Sequence, residues 1–186
     1  MDLQTLYQKT IKFAGVKHAK NNQTIPGTNL PYVIHLSNVA MEILISYQND
    51  DDFKLGFALQ LALLHDTLED TATTFDEISK EFGPDVAEGV AALTKNENLP
   101  KPERMPDSLK RIRLLSKEVR AVKLADRITN LQVPPKHWDN AKKKSYLEEA
   151  RLILDTLKGQ NKFLEERLYS KIKEYESYID SELINE

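Results

Sequence analysis

Apolar residues recur at the spacing of an α-helix along most of this chain, and the alternation typical of strands is nearly lacking. Glycines and prolines fall between the apolar stretches and mark their ends. The pattern therefore predicts an all-α fold, a bundle of helices. The predicted helices are Leu3–Lys20, residues 32–47, Leu55–Leu64, residues 74–83, a helix from Pro84, residues 107–115 and 118–131, and two long helices from about Asn140 and Asn161, with breaks at 21–29, 49–52 and 95–106.

The segment Leu55–Leu64 is apolar on nearly all sides, which is typical of a helix buried at the centre of a fold. Directly after it come His65 and Asp66, then Glu69 and Asp70. If the helix continues, His65 lies one turn from Glu69, and Asp66 lies one turn from Asp70. Charged side chains are seldom buried without a partner, so this cluster favours a bound metal ion. A solvated helix end with a carboxylate-rich turn is the alternative.

Further metal ligands must come from other parts of the chain, which contains four histidines. His35 lies on an otherwise apolar helix face, where a hydrogen-bonded core histidine is the alternative to a ligand. His18 ends a helix beside lysines, and His137 lies in a loop, so both are weaker candidates.

One aspartate interrupts the apolar segment 121–131. On a helix, Lys123, Asp126 and Asn130 form a polar stripe. Asp126 then has three interpretations: it caps a helix, it pairs with Arg127 or a lysine, or it binds a metal ion. The residues alone leave these open.

Length and composition limit the class of protein. A chain of 186 residues fits one domain. The net charge of −3 argues against nucleic acid or an anionic membrane as the main partner. The absence of cysteine excludes disulfides, thiolate metal sites and cysteine nucleophiles. The chain shows neither an apolar leader segment nor an apolar run of membrane-spanning length, so we expect a cytoplasmic protein.

Taken in order, these segments resemble a known family. Residues 31–35 (PYVIH), 62–71 (ALLHDTLEDT) and 122–131 (VKLADRITNL), with EFG before Pro84, are similar to the hydrolase domain of the RelA/SpoT homologues. These belong to the HD superfamily of metal-dependent phosphohydrolases. The resemblance implies one all-α HD hydrolase domain over residues 1–186, with C-terminal helices packed on a motif-bearing core at about 5–158. It also implies a stand-alone hydrolase that releases diphosphate from (p)ppGpp-type alarmones.

The resemblance assigns His35, His65, Asp66 and Asp126 as the metal ligands, usually of manganese. Two imidazoles and two carboxylates suit a borderline divalent ion, which allows manganese without selecting it over iron or zinc. Glu69 and Asp70 match an acid pair that orients and deprotonates the attacking water. An alternative role for Glu69 is to fix the ring of His65.

The resemblance also indicates which residues contact the nucleotide. Asn130 matches a position that touches the sugar or its phosphate, and Lys101 and Arg104 match the family's diphosphate-binding loop more loosely. Lys20 and Lys123 complete the candidate substrate-binding set. The expected partner is a small-molecule nucleotide, and the oligomeric state stays open.

The loop at 21–29 departs from the family, which usually carries an arginine and a lysine there to hold guanine. It contains no basic residue here. Guanine is therefore not assured, and an adenine alarmone such as pppApp is an alternative substrate. Other HD substrates, namely 5′-nucleoside monophosphates and cyclic dinucleotides, are a further alternative. A non-catalytic nucleotide sensor and a purely structural helical module are the remaining ones.

Overall fold

A computed structural model describes residues 1–49 and 52–180, except the side chain of Asp180. Ten helices lie in this part of the chain: α1 (Leu3–Lys20), α2 (Val33–Asn49), α3 (Leu55–Leu64), α4 (Thr67–Asp70), α5 (Phe75–Phe82), α6 (Pro84–Leu93), α7 (Lys101–Arg113), α8 (Lys117–Asn130), α9 (Asn140–Leu157) and α10 (Lys162–Asp180). An isolated bridge pairs Thr24 with Pro31 in the loop after α1. The predicted all-α fold is confirmed.

Helix α3 lies at the centre of the bundle, as its uniformly apolar sequence predicts. It packs against α1, α2, α6 and α8, and its last four residues are buried completely. The approach to α6 is closest at Gly89, where a Cβ atom would lie 2.5 Å from Cδ2 of Leu61. A glycine is therefore what allows α6 to lie against the central helix.

Helix α7 differs from the prediction, which left residues 95–106 as a loop and began the helix at Asp107. The helix begins at Lys101 and continues through Pro106. Pro102 lies in the first turn of α7, where a backbone N–H would have no acceptor within the helix. Pro106 lacks the N–H that would otherwise donate to the carbonyl of Pro102. Burial of one face of α7 outweighs the loss of this hydrogen bond. The buried residues of that face are Met105, Ser108, Leu109 and Ile112. Asp107 forms an ion pair with Arg111 instead of capping.

The other predicted helices agree with the structure to within a few residues. Capping by Thr74 is confirmed, because its side chain accepts a hydrogen bond from the N–H of Glu77. The predicted break at 49–52 includes Asp50 and Asp51, which lie outside the described residues, as do residues 181–186.

In the second half of the bundle, helix α8 packs against the central helix α3. Residues Ala121–Ile128 of α8 are all buried, between α2 and α3 on one side and α9 and α10 on the other. The N-terminal turn of α2, the end of α3 and the C-terminal half of α8 therefore meet at one place. No helix among the described residues combines the length and the apolar character needed to cross a membrane.

Candidate metal centre and active site

Two imidazoles and two carboxylates converge where α2, α3 and α8 meet. The Nε2 atoms of His35 and His65 lie 3.4 Å apart. Oδ1 of Asp126 lies 3.4 Å from Nε2 of His35 and 3.5 Å from that of His65. Oδ2 of Asp66 lies 2.9 Å from Nε2 of His65 and 3.8 Å from that of His35. The structure thus brings together all four residues that the sequence analysis assigned as metal ligands.

A break in the helix allows two consecutive residues to face the same point. Helix α3 ends at Leu64 and α4 begins at Thr67, so His65 and Asp66 form a turn. The hydroxyl of Thr67 donates to the carbonyl of Leu64 at 2.6 Å, which satisfies an acceptor at the end of α3. In a continuous helix the two side chains would diverge by about 100°. A helix that continues unbroken from Leu64 to Asp70, which was one possibility from the sequence, is therefore not what the structure contains.

Surrounding groups fix the orientation of each carboxylate and of one ring. Nδ1 of His65 lies 2.8 Å from the carbonyl of Ala62. Because a carbonyl only accepts, Nδ1 carries a hydrogen, so Nε2 is the nitrogen that faces the cluster and can present its lone pair to a metal ion. Glu69 is thus not the group that holds this ring. Tyr32 donates its hydroxyl hydrogen to Oδ2 of Asp66.

Asp126 is held from both sides along its own helix. Lys123 donates to Oδ2 at 3.1 Å, and Asn130 donates to Oδ1 at 2.6 Å. The polar stripe predicted for α8 is therefore real. Of the ion pairs considered for Asp126, the structure forms the one with Lys123, whereas Arg127 pairs with Glu149.

The charges in the cluster stabilise one another. Burial lowers the pKa of the His65 imidazolium, but the carboxylates of Asp66 and Asp126 outweigh burial and raise that pKa well above its usual value. Burial raises the pKa of Asp126, yet Lys123 and the two rings outweigh it and hold the pKa well below the usual range. A divalent cation would replace the proton as the positive charge that these carboxylates require.

The donor set fits such a cation. Ligand atoms about 2.1 Å from a common ion lie roughly 3–3.5 Å from one another, and the observed separations run from 2.9 to 3.8 Å. The nearby groups that fix His65 and Asp126 are of the kind that orient metal ligands in proteins. His35, His65, Asp66 and Asp126 could therefore hold one divalent metal ion.

The acid pair lies on α4, directly beside this cluster. Glu69 accepts hydrogen bonds from Lys95, through the backbone N–H at 3.0 Å and the ammonium at 3.2 Å. Asp70 accepts one from Nε2 of Gln23 at 2.7 Å. Burial and the charge of Asp66 raise the pKa of Asp70. Sequence analysis missed Lys95 because it is one cation in a polar stretch; its place directly after an apolar helix was the only signal.

A cavity of about 760 Å³ opens beside the cluster. His35 and Asn130 line it on the metal side, and the segment 132–138 forms the opposite wall. Trp138 and Tyr146 meet there edge to face, with ring centroids 5.1 Å apart. Arg127 supports this wall, since its guanidinium lies 4.4 Å from the centre of the Tyr146 ring. Sequence analysis missed this wall, because an irregular segment carries no periodic signal.

The candidate substrate-binding residues have different surroundings. Asn130 lines the cavity, and Lys123 is buried against Asp126. Arg104 folds back on its own loop and donates to the carbonyls of Leu99 and Glu97 at 2.9 Å each. The two remaining candidates are exposed, at the start of α7 and at the end of α1: Lys101 and Lys20.

Known proteins share this architecture. A family profile described as HD domain matches residues 11–158. The guanosine-3′,5′-bis(diphosphate) 3′-pyrophosphohydrolase MESH1 of Danio rerio is 36% identical over 166 residues, covering 86% of this chain and 88% of that enzyme. The Homo sapiens enzyme of the same name is 36% identical over 167 residues, covering 87% and 90%. The structure of a metazoan orthologue of SpoT that hydrolyses ppGpp has a TM-score of 0.76 at 29% identity, covering 91% and 94%. The chain therefore belongs to the HD-domain family, among its SpoT-type hydrolases.

Proposed function

We propose that this protein is a metal-dependent hydrolase that removes diphosphate from the 3′ position of guanosine-3′,5′-bis(diphosphate). One observation carries the proposal: the cluster of His35, His65 and Asp126, with Asp66 2.9 Å from His65, lies beside an acid pair, and His35 also lines a cavity of about 760 Å³. Relatives that match most of the chain carry the corresponding name.

The proposed ligands are His35, His65, Asp66 and Asp126, and manganese is the proposed ion. Two nitrogen and two oxygen donors suit a borderline divalent metal. When bound, such an ion lowers the pKa of water and stabilises negative charge on phosphoryl oxygens. The four residues would hold it beside the cavity, which His35 lines, and the 3′-diphosphate would lie there.

Glu69 and Asp70 are the proposed catalytic residues. Phosphoryl transfer requires mainly positioning and charge stabilisation, so one well-placed base suffices. Glu69 is suited to take the proton of the attacking water, because Lys95 holds both of its carboxylate oxygens in place beside the cluster. The new bond from the water oxygen to phosphorus forms as the bond from phosphorus to the ribose 3′ oxygen breaks. That oxygen takes up a proton and diphosphate leaves.

The cavity would receive the nucleoside and its 5′ phosphates. Asn130 reaches from α8 into this space and is our candidate for the ribose contact. Lys136 and Lys142 supply positive charge at the opposite side. Lys101 and Arg104, with Lys20 and Lys123, remain candidates for phosphate contacts.

An adenine alarmone is the second candidate substrate, and the composition of the loop after α1 supports this alternative. The side chains of Asn21 and Gln23 in that loop both donate to Asp70, one to its carbonyl and one to its carboxylate. Residues 21–29 contain no cation to grip a guanine. The loop therefore lacks the feature that the resemblance associates with guanine.

Product identification tests the proposal. The purified protein is incubated with Mn²⁺ and, separately, ppGpp and pppApp, and the products are separated and identified by anion-exchange chromatography. We expect diphosphate from at least one of the two. Orthophosphate instead of diphosphate would indicate a different HD reaction, and no product from metal-loaded protein would refute the proposal. Glu69→Gln should abolish release, whereas Glu77→Gln, a glutamate paired with Lys17 on the surface, should retain it.

A further inference from the structure

His18 is buried beside the active site although it is not among the proposed metal ligands. It lies in the last turn of α1 with 1% of its surface exposed. Its ring packs on that of Tyr32, with centroids 4.9 Å apart. Nδ1 lies 2.5 Å from Oε1 of Gln23, and Nε2 has no hydrogen-bond partner in the part of the chain that the structure describes.

Gln23 joins His18 to the acid pair and is fixed along its whole length. Its backbone N–H donates to the carbonyl of His18 at 3.2 Å, and its carbonyl accepts from the N–H of Tyr32 at 3.2 Å. Its side-chain nitrogen donates to Oδ2 of Asp70 at 2.7 Å. The two residues that hold Gln23 also stack on each other, so the amide has little freedom to rotate away from Asp70.

The direction of these hydrogen bonds follows from the charge of Asp70. An ionised carboxylate only accepts, so the NH₂ group of Gln23 must face it and Oε1 must face His18. Oε1 also only accepts, so Nδ1 of His18 must carry the ring hydrogen. Burial lowers the pKa of His18, which keeps the ring neutral. Nε2 is then a bare nitrogen, which agrees with the lack of an acceptor beside it.

We propose that His18 and Gln23 are positioning residues that hold the Asp70 carboxylate in place beside the metal centre. The role given to Asp70 rests on the proposed function, whereas the hydrogen-bond chain does not. The loop after α1, which departs from the family pattern by lacking basic residues, would thus hold Asp70.

The charges around Asp70 explain why it needs this support. Asp66 and Glu69 both disfavour a second negative charge, as does burial. The hydrogen bond from Gln23 acts in the opposite direction. Loss of the donor from Gln23 should therefore raise the pKa of Asp70, so that more alkaline solution is needed to ionise it.

The tautomer of His18 provides a test that does not depend on substrate. In protein labelled with ¹⁵N-histidine and loaded with diamagnetic Zn²⁺, we expect His18 to carry its hydrogen on Nδ1. His18→Asn identifies the signal by its loss. In Gln23→Met, which removes the acceptor, the signal should change to the Nε2–H form or to a mixture. An Nε2–H ring in the unaltered protein would overturn the proposal.

Kinetics supply the second test. Asparagine can place its amide N–H where His18 places Nδ1–H, whereas phenylalanine cannot. We expect Gln23→Met, which removes the hydrogen bond to the Asp70 carboxylate, to lower kcat on the order of tenfold at unchanged metal content. His18→Phe removes the hydrogen bond that orients the Gln23 amide and should lower kcat several-fold. The acid limb of the kcat–pH profile should move to higher pH in both. His18→Asn should retain most of the activity and the original limb.

The outcomes separate this inference from the proposed function. If the unaltered protein hydrolyses neither alarmone, the proposed function is wrong. The tautomer of His18 still decides whether the hydrogen bonds from His18 through Gln23 to Asp70 exist. If the protein is active but His18→Asn and His18→Phe lose the same activity with no movement of the acid limb, His18 has only a structural role and the inference is wrong.

Discussion

Lys95 binds Glu69 at both carboxylate oxygens, with its backbone N–H 3.0 Å from Oε2 and its Nζ 3.2 Å from Oε1. Burial opposes the charge of Lys95, but Glu69 outweighs burial and raises the pKa of the ammonium, so Lys95 is charged at neutral pH. The segment after α6 therefore fixes the proposed base on α4. A carboxylate that is held at both oxygens has a defined direction from which to meet a water molecule.

Replacing Lys95 by methionine should lower kcat about tenfold and change KM little, because the backbone N–H still holds one oxygen while the ammonium is lost. Steady-state kinetics at saturating metal measure this effect. Lys9→Met is the matched control, since Lys9 forms a surface ion pair with Glu81. Equal kcat values for the two variants would show that the Glu69 contact has no part in turnover.

Addition of a divalent metal should raise the melting temperature. At a metal concentration about 100 times Kd, binding adds about 2.7 kcal/mol to the free energy of unfolding. For a chain of this length, the melting temperature rises by roughly 2–4 °C per kcal/mol. We expect a rise of roughly 5–11 °C with Mn²⁺ or Zn²⁺, measured by calorimetry. His35→Ala and Asp126→Ala should abolish the rise, and Asp155→Asn on the surface should keep it. A rise that persists in Asp126→Ala would place the ion elsewhere.

Lys142 should contribute to substrate affinity. Its ammonium lies 5.3 Å from the ring centre of Trp138 and lines the cavity. Lys142→Met should raise KM for the alarmone several-fold, more at low salt than at high salt, because the attraction is between opposite charges. Lys144→Met tests the same helix at a position that does not line this cavity. The same KM in both variants would mean that nucleotide phosphates do not approach α9.

Gly89→Ala should destabilise the fold. The added Cβ would lie 2.5 Å from Cδ2 of the fully buried Leu61, so the Leu61 side chain or α6 must shift. Overpacking of this kind costs about 1–3 kcal/mol, which urea denaturation measures. At Gly56, also in a helix, the nearest atom to an added Cβ lies at 3.5 Å, so Gly56→Ala should be neutral or stabilising. Equal stability of the two variants would contradict the close approach.

Those parts of the molecule that are encoded locally were predictable from the sequence. Helix α3 followed from its uniformly apolar residues, and the stripe of Lys123, Asp126 and Asn130 followed from helical spacing. The start of α7 was not predictable, because two prolines in its first half signal a loop. Only the burial of Met105 and its neighbours in the fold makes a helix the more stable structure there. The Lys95–Glu69 contact joins residues 26 positions apart, and no periodicity in the sequence reports it.

The turn at His65 and Asp66 has a consequence for protein engineering. His65 and Asp66 reach the same point at the junction of α3 and α4, so the dipeptide transplanted alone into another scaffold would lose the groups that orient it. A functional graft has to bring the final turn of α3, the carbonyl of Ala62 and the hydroxyl of Thr67 along with it.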